Sequence, residues 1–483
     1  MAILLIAKAD PLMPAYNPLK FIYASTNSGF TGFKFVFDVY ESGTLNKIGE
    51  YRVLPAYGTG YGEIDLTKLL QAKVTYDLNP TNTTVYNATD SHYKYDLAIG
   101  EEYVTTVQYF LSLTNNGGNV QINVANTFVA GDQINISQSD GGVANPNLEG
   151  LFTVLSVGAG YLVVNSPWSL VTDATINGDI TYADGRRTIN RALRQDKNNY
   201  VFNGAIRWKE WPAYDYQNYL LNAGTDKFLT TLPQNGYYAT LGQDLWMNAV
   251  NEFPSVGTHR MVFTNNTGDI IDKDVTDTDY VIGISVGPNN NGATNVVAGS
   301  LPLIKPGTEY YDFYYEYAGA PASQHYRIYI DRRYRSVEYE ILFLDRMGSW
   351  GSFSFTGRAY EKGQVTREQF NRDVAGYITG GSWTYNLQDR GFTNSYVSVE
   401  NTIDLNTDWM TEEMAQYFSE LISSPETYIK QAIYAEDCEL PESTEYISCN
   451  IVTSTFELFK KRNKNLIRQS ITIKLANNDI VNG

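Results

Sequence analysis

The chain has 483 residues, with 36 Lys and Arg against 53 Asp and Glu, a net charge of −17. That balance excludes non-specific nucleic-acid binding, which needs basic side chains to displace counterions from phosphates. At 43% hydrophobic residues the chain is not a disordered segment, and its length suggests roughly two to four domains that need no disulfides to form a core. The aromatic content is led by 38 Tyr. Tyr with abundant Gly suits many strands joined by tight turns, and Tyr also anchors protein interfaces. An all-β dominated, multidomain protein with large contact surfaces is expected.

Residues 1–7 form a short apolar run without a basic leader, ended by Asp10 and Pro11; they read as a first strand or docking arm, not an export signal. No run of about 20 apolar residues is present, so no membrane span is expected. Residues 33–40 alternate apolar with mixed positions, the period-two signal of a half-buried strand. Pro55 stops a second strand over 51–54, Asp65 is placed to cap a helical turn over 66–70, and 103–113 read as another strand. Residues 1–116 are thus expected to form a β-sandwich-like domain. After Asn115-Asn116-Gly117-Gly118, a run of short, glycine-punctuated strands predicts a small β-barrel inserted over 117–185.

Residues 186–400 are expected to form a central β-rich domain, with a short helix over 188–195 and strands over 310–317, 326–330 and 339–344. Residues 401–483 read as a C-terminal α+β unit packed on it. Its helix carries Met414, Tyr417, Phe418, Leu421 and Ile422 on one face of a 3.6-residue period. Thr411 is the expected N-cap, Glu412 and Glu413 favour the first turn, and Ser424-Pro425 ends it. Strands over 446–453 and 470–475 follow, separated by a basic tip of Lys460, Lys461, Arg462 and Lys464.

Chemistry-bearing residues form no recognisable constellation. His92, His259 and His325 stand in no metal-ligand spacing. Cys438 sits among acids, which raise a thiol pKa, and it and Cys449 read as inert thiols. Gly58, Gly60 and Gly62 imitate a phosphate loop without its spacing or its helix, so a turn is expected. Asp272, Asp274, Asp277 and Asp279 lack the glycine and closing glutamate of a calcium loop and read as a solvated acidic loop. Sequons at Asn82, Asn87 and Asn135 are expected by chance in this composition. A carboxylate pair for glycoside hydrolysis stays open, but no spacing singles one out. No catalytic, cofactor-binding or metal residue is assigned, and no enzymatic activity is expected.

Several segments together resemble a known family. Pro14-Ala15-Tyr16-Asn17-Pro18, residues 33–40 and 63–70 are similar to the N-terminal domain of large virion proteins of phages of Bacteroidetes hosts, including crAss-like phages. Residues 341–350 followed by Phe353-Ser354-Phe355 resemble their characteristic strand pair, with Asp345, Met347 and Ser349 as departures from it. Residues 395–401, 409–426, 447–453 and 468–475 resemble their closing strand-helix-strand unit. The 117–185 insert lies outside the resemblance.

The resemblance implies a non-enzymatic structural component of the virion tail or neck, a ring or hub subunit of the DNA-conducting assembly made in the host cytoplasm. It implies a homo-oligomeric ring, on the order of six or twelve copies, with other tail, neck or hub proteins as partners. DNA would pass without specific binding, which an acidic wall favours. No cofactor and no membrane are implied. The alternative is a carbohydrate-binding adhesin or receptor-binding tail protein.

Overall fold

The computed structural model describes residues 3–30, 32–78, 85–104, 108–124, 128–139, 143, 145–183, 187–251, 259–275, 279–291, 302–333, 338–372, 376–388, 391–434, 441–453, 467–476 and 479–481. The protein is all-β dominated and multidomain, with two α-helices among the described residues, Thr67–Gln71 and Glu412–Ser423. Two compact units share the chain: one takes residues 1–11, 18–69 and 94–200, the other 12–17, 70–93 and 201–483.

In the first unit, Ile3–Lys8, Lys20–Ser25 and Gly62–Asp65 form one sheet. Lys47–Val53, Lys34–Glu41, His92–Val104 and Arg187–Phe202 are successive neighbours in another. Phe35 and Phe37 turn inward, as do Phe21 and Tyr23 opposite them. The Tyr23 and Phe37 rings meet with centroids 6.0 Å apart. Asp65 accepts from the Thr67 backbone N–H at 2.9 Å and so caps the helical turn.

The helix expected over 188–195 is a correction: these residues belong to the strand Arg187–Phe202. Ala192 and Asn198 have positive φ, 53° and 60°, which interrupts the two-residue period. Exposed Ile189 and Leu193 sit four residues apart on this irregular strand, a spacing that imitates a helix.

The same unit carries a seven-stranded sheet in the order Ser112–Asn116, Asn119–Asn123, Tyr161–Pro167, Gly150–Gly158, Gln133–Gln138, Gly178–Tyr182, Gln108–Phe110. Its first and last members are separated only by Leu111, so the sheet comes round on itself as a small barrel. Strand Gly150–Gly158 turns the corner at a register shift between Val154 and Ser156. Phe110, Val120, Ile134, Val154, Leu162 and Ile180 meet in one core. Asn115-Asn116-Gly117-Gly118, read from sequence as a border, is a hairpin turn inside this barrel. Asn116 faces Asn119 across it, and both glycines hold positive φ.

Among the described residues the second unit contains three larger sheets and one two-stranded hairpin. In the first, Tyr237–Thr240, Tyr326–Asp331, Tyr310–Tyr317, His259–Asn265 and Ile270–Asp274 lie side by side. Trp246–Val250, Val281–Ser285 and Val85–Asn87 make a short second sheet. The third runs Trp350–Phe355, Tyr339–Leu344, Thr427–Tyr434, Pro441–Ile451, Ser470–Leu475, Phe392–Asn406, Tyr360–Asn371. Strands read from sequence as central and as C-terminal therefore share this sheet, with Glu340 registered against Lys430. Alternation decides the faces: Tyr311, Phe313 and Tyr315 enter the core while Tyr310 and Tyr314 face outward.

Helix Glu412–Ser423 follows its sequence signals. Thr411 accepts from the Met414 N–H at 3.3 Å, and Met414, Tyr417, Phe418 and Leu421 join the core. Leu421→Ala is expected to lower stability by about 2–5 kcal/mol, because Leu421 is fully buried and the cavity cannot fill completely. Equilibrium denaturation checks this, and an unchanged midpoint would remove the helix from the core.

Tyr360–Asn371 pairs along its whole length with Phe392–Asn406, and every one of its residues is exposed. Between them, Tyr377–Thr379 pairs with Ser382–Thr384 around Gly380-Gly381, whose φ values of 60° and 82° define a two-residue hairpin turn.

Candidate functional site

The second unit holds a polar cavity of about 720 Å³, lined among others by Arg207, Glu210, Tyr238, Tyr329, Arg346 and Glu420. A neighbouring cavity of about 330 Å³ shares Arg346 and Glu420. Three elements supply the charges. Helix Glu412–Ser423 presents buried Glu420, the turn between Tyr339–Leu344 and Trp350–Phe355 presents Arg346, and the segment after Phe202 presents Arg207 and Glu210. Arg207 and Arg346 both bind the same Glu420 oxygen, the second at 3.1 Å, and Arg346 reaches Glu210 at 3.0 Å. Two cations and two anions thus satisfy one another. The rim is aromatic, with Tyr238 and Tyr329 stacked at 5.0 Å.

Asp345 fixes the turn that carries Arg346. One of its oxygens accepts from the Met347 and Ser349 N–H groups at 2.9 and 3.0 Å. The other accepts from the Thr230 and Thr231 hydroxyls and, at 2.7 Å, from the Thr231 N–H. Burial pushes the Asp345 carboxyl up to about 6 even against these donors. Gly348 is required here: it holds φ +88°, and a Cβ would lie 2.2 Å from the Asn203 carbonyl oxygen.

A second charged group lies across the large sheet. Lys430 binds Asp244 at 2.5 Å and Glu340 at 3.1 Å, and Tyr446 donates to the same Asp244 oxygen at 2.5 Å. Glu340 also accepts from the Asp244 N–H at 2.8 Å. Burial pushes the Glu340 carboxyl up to about 8. Burial alone would lower the Lys430 ammonium, but Glu340 and Asp244 outweigh it and hold it above its usual range. Two carboxylates and one ammonium, with a proton retained on Glu340, make a neutral buried group. Sequence reasoning missed it; its signal was Glu340, an acid inside the apolar strand 339–344.

The residues singled out from sequence stay apart. His92 bonds the Ala88 carbonyl and Asp279, His259 bonds the Tyr315 hydroxyl, and His325 stacks on Tyr314. Cys449 is buried, which pushes its thiol up to about 11, and Cys438 lies outside the described residues. Gly58 and Gly60 occupy a turn at positive φ. The acidic run is corrected in part: Asp272 and Asp274 stand on the strand Ile270–Asp274 and flank Arg260, while Asp277 lies outside the described residues. The basic tip Lys460, Lys461, Arg462 and Lys464 also lies outside them. Among the described residues, no three His, Cys, Asp or Glu side chains converge as metal ligands, and no helix is long and apolar enough to cross a membrane. No protein-family model matches the chain, and no curated protein matches it.

Removing the cation from the buried group leaves the buried Asp244 carboxylate without its ion-pair partner, so Lys430→Met is expected to cost about 3–5 kcal/mol in denaturant unfolding. The raised Glu340 pKa has a definite sign. The folded protein keeps a proton that the unfolded chain releases, so stability falls as pH rises from the ordinary carboxyl range towards about 8. Between pH about 6, where Asp345 has titrated, and about 7, where buried Lys273 begins to titrate with the opposite slope, wild-type protein should lose on the order of 1 kcal/mol. Glu340→Gln should flatten that decline, and parallel melting profiles for the two proteins would refute the assignment.

Proposed function

We propose that this chain is a non-enzymatic structural component of a bacteriophage tail, a ring or hub subunit of the DNA-conducting assembly. The observation that carries the proposal is the outer part of the ribbon of Tyr360–Asn371 and Phe392–Asn406 with the hairpin between them, where Phe370, Ile378, Trp383, Tyr385, Leu387 and Phe392 are exposed together. Monomeric proteins keep such surfaces small, and assembling proteins display them. The all-β build, the sequence resemblance and the net charge of −17 agree with a subunit beside passing DNA, since like charge discourages phosphates from sticking. Arg207, Glu210, Arg346 and Glu420 in the cavity wall pair with one another, which suits a structural role better than acid-base work. Partners under this reading are further copies of the chain and other tail, neck or hub proteins, and the place of action is the virion.

A second reading draws on one feature. The stacked Tyr238 and Tyr329 at the rim of a polar cavity resemble a sugar platform, so a carbohydrate-binding tail protein is the alternative.

Quantitative mass spectrometry of purified virions of the encoding phage separates the readings. The chain should be present at a copy number that is a small multiple of the portal stoichiometry. Its absence from purified particles would refute the tail assignment. Glycan binding by the monomer, abolished by Tyr329→Ala, would favour the second reading.

A further inference from the structure

We infer that the ribbon formed by Tyr360–Asn371 and Phe392–Asn406, with its tip hairpin, is an arm that docks on a second copy of this chain. The inference rests on the ring-subunit reading and names the surface that builds the ring.

A two-stranded ribbon is marginal alone in water and normally gains stability by covering a face. At its base the ribbon belongs to the large sheet, where Phe392–Asn406 also pairs with Asp479–Val481 and Ser470–Leu475 and buries Ile403 and Leu405. Outward of Val397 only the two strands remain among the described residues, and the large side chains on both faces are exposed. Phe370 shares a face with Tyr396, across the Glu368–Tyr396 pair, and Phe392, opposite Asn371, lies on the other. The tip adds Ile378 opposite Trp383, with Tyr385 5.6 Å from the Trp383 ring. Tyr360–Asn371 is also an edge strand: among the described residues it is paired on one side only, and it contains no proline.

Area and charge identify the occupant. Phe370, Ile378, Trp383, Tyr385, Leu387 and Phe392 are between 47% and 96% exposed. With large side chains of roughly 150–250 Å² each, they offer on the order of 800 Å² of apolar surface, the share of one partner in a standard interface. The outer part of the arm, residues 364–399, carries Arg367, Arg372 and Arg390 against Glu368, Asp373 and Asp389, three minus three, hence no net charge; Glu361, Lys362, Glu400 and Asp404 at the base bring residues 360–406 to four minus six, −2. Two copies at −17 each repel one another in bulk. A neutral, apolar arm is the segment that can meet another acidic copy without that penalty; a basic or nucleic-acid partner would call for a charged one. In a ring each arm meets a different patch of its neighbour, a heterologous contact that closes by rotation.

The test is sedimentation of the full-length chain beside Ile378→Ser/Trp383→Ser/Leu387→Ser. The three residues are exposed at the tip, so circular dichroism and melting temperature should match wild type. Wild type should self-associate with concentration. The variant should show a rise in dissociation constant of roughly a hundredfold or more, from loss of apolar contact. Self-association should also persist in high salt, because the contact is not an ion-pair contact. A wild-type chain that stays monomeric overturns the inference, as does a variant that associates like wild type. If the wild type is monomeric and the variant is lost from virions, the arm docks on a different virion protein, and the inference again fails. Virion content is scored separately: a chain absent from particles defeats the tail reading, whereas a chain present in particles with an inert arm defeats only this inference.

Discussion

A single buried carboxylate sets the geometry on which the second unit depends. Asp345 collects five donors from two segments that are far apart in sequence, and its turn also seats Ser349, whose hydroxyl bonds the Leu229 carbonyl and accepts from the Asn248 N–H. Asn248 closes the loop by donating to the Gly348 carbonyl at 2.7 Å. These contacts join the large sheet, the short sheet and the 229–231 strand-like segment at one point. They also show why an aspartate, and not an asparagine, suits position 345. An asparagine at 345 would offer acceptor capacity on one atom only and would aim an amide at the Thr231 N–H, donor against donor. A carboxylate accepts on both sides. The charged wall of the cavity depends on this, because Arg346 is the next residue and takes its direction from the same turn.

Tyrosine divides between two roles that composition alone could not separate. Its abundance suggested interface anchors, yet Tyr23, Tyr95, Tyr237, Tyr311, Tyr315 and Tyr417 are core residues. In the second unit the hydroxyl is what makes this workable. Tyr311 donates to the Val286 carbonyl at 2.6 Å and Tyr237 to the Ser352 carbonyl at 2.6 Å, so a large ring is buried and its polar end is satisfied. The hydrogen bonds tie neighbouring strands at defined points. Exposed Tyr360, Tyr377, Tyr385 and Tyr396 lie on the ribbon and its tip, while Tyr16, Tyr57, Tyr109 and Tyr238 are exposed elsewhere.

Where the sequence pattern was regular, the fold was legible. Tyr310–Tyr317 and Ser470–Leu475 alternate, Tyr339–Leu344 is a short apolar run, and helix Glu412–Ser423 combines a cap, an acidic first turn and an apolar stripe, so local physics decides each. The helix expected over 188–195 failed because irregular backbone at Ala192 and Asn198 destroyed the strand period. The Asp272 and Asp274 alternation was a strand face taken for a loop. The buried group of Asp244, Glu340 and Lys430 depends on register between strands some 90 residues apart, as the pairing of Glu340 with Lys430 shows, and no local signal encodes register. The ribbon was different. Gly380-Gly381 between Ile378 and Trp383 is a two-residue hairpin signal that could have been read.

If the arm docks on a second copy as inferred above, its build also explains how an acidic chain is both self-repelling and self-associating. Its strands, 12 and 15 residues long, extend on the order of 40 Å. Electrostatic influence decays over roughly 8 Å at physiological ionic strength. A neutral segment several such lengths long can therefore carry its apolar tip beyond the reach of charges at its base. Long-range repulsion then keeps copies apart in random orientations, while short-range burial rewards the one orientation in which an arm finds its seat. The unpaired edge of Tyr360–Asn371 sharpens that choice. It offers backbone donors and acceptors at fixed spacing, so contact through this edge is favourable only in register. Repulsion in bulk and pairing at an arm are thus complementary: the first suppresses disordered aggregation of a protein with a bare strand edge, and the second makes ordered association specific.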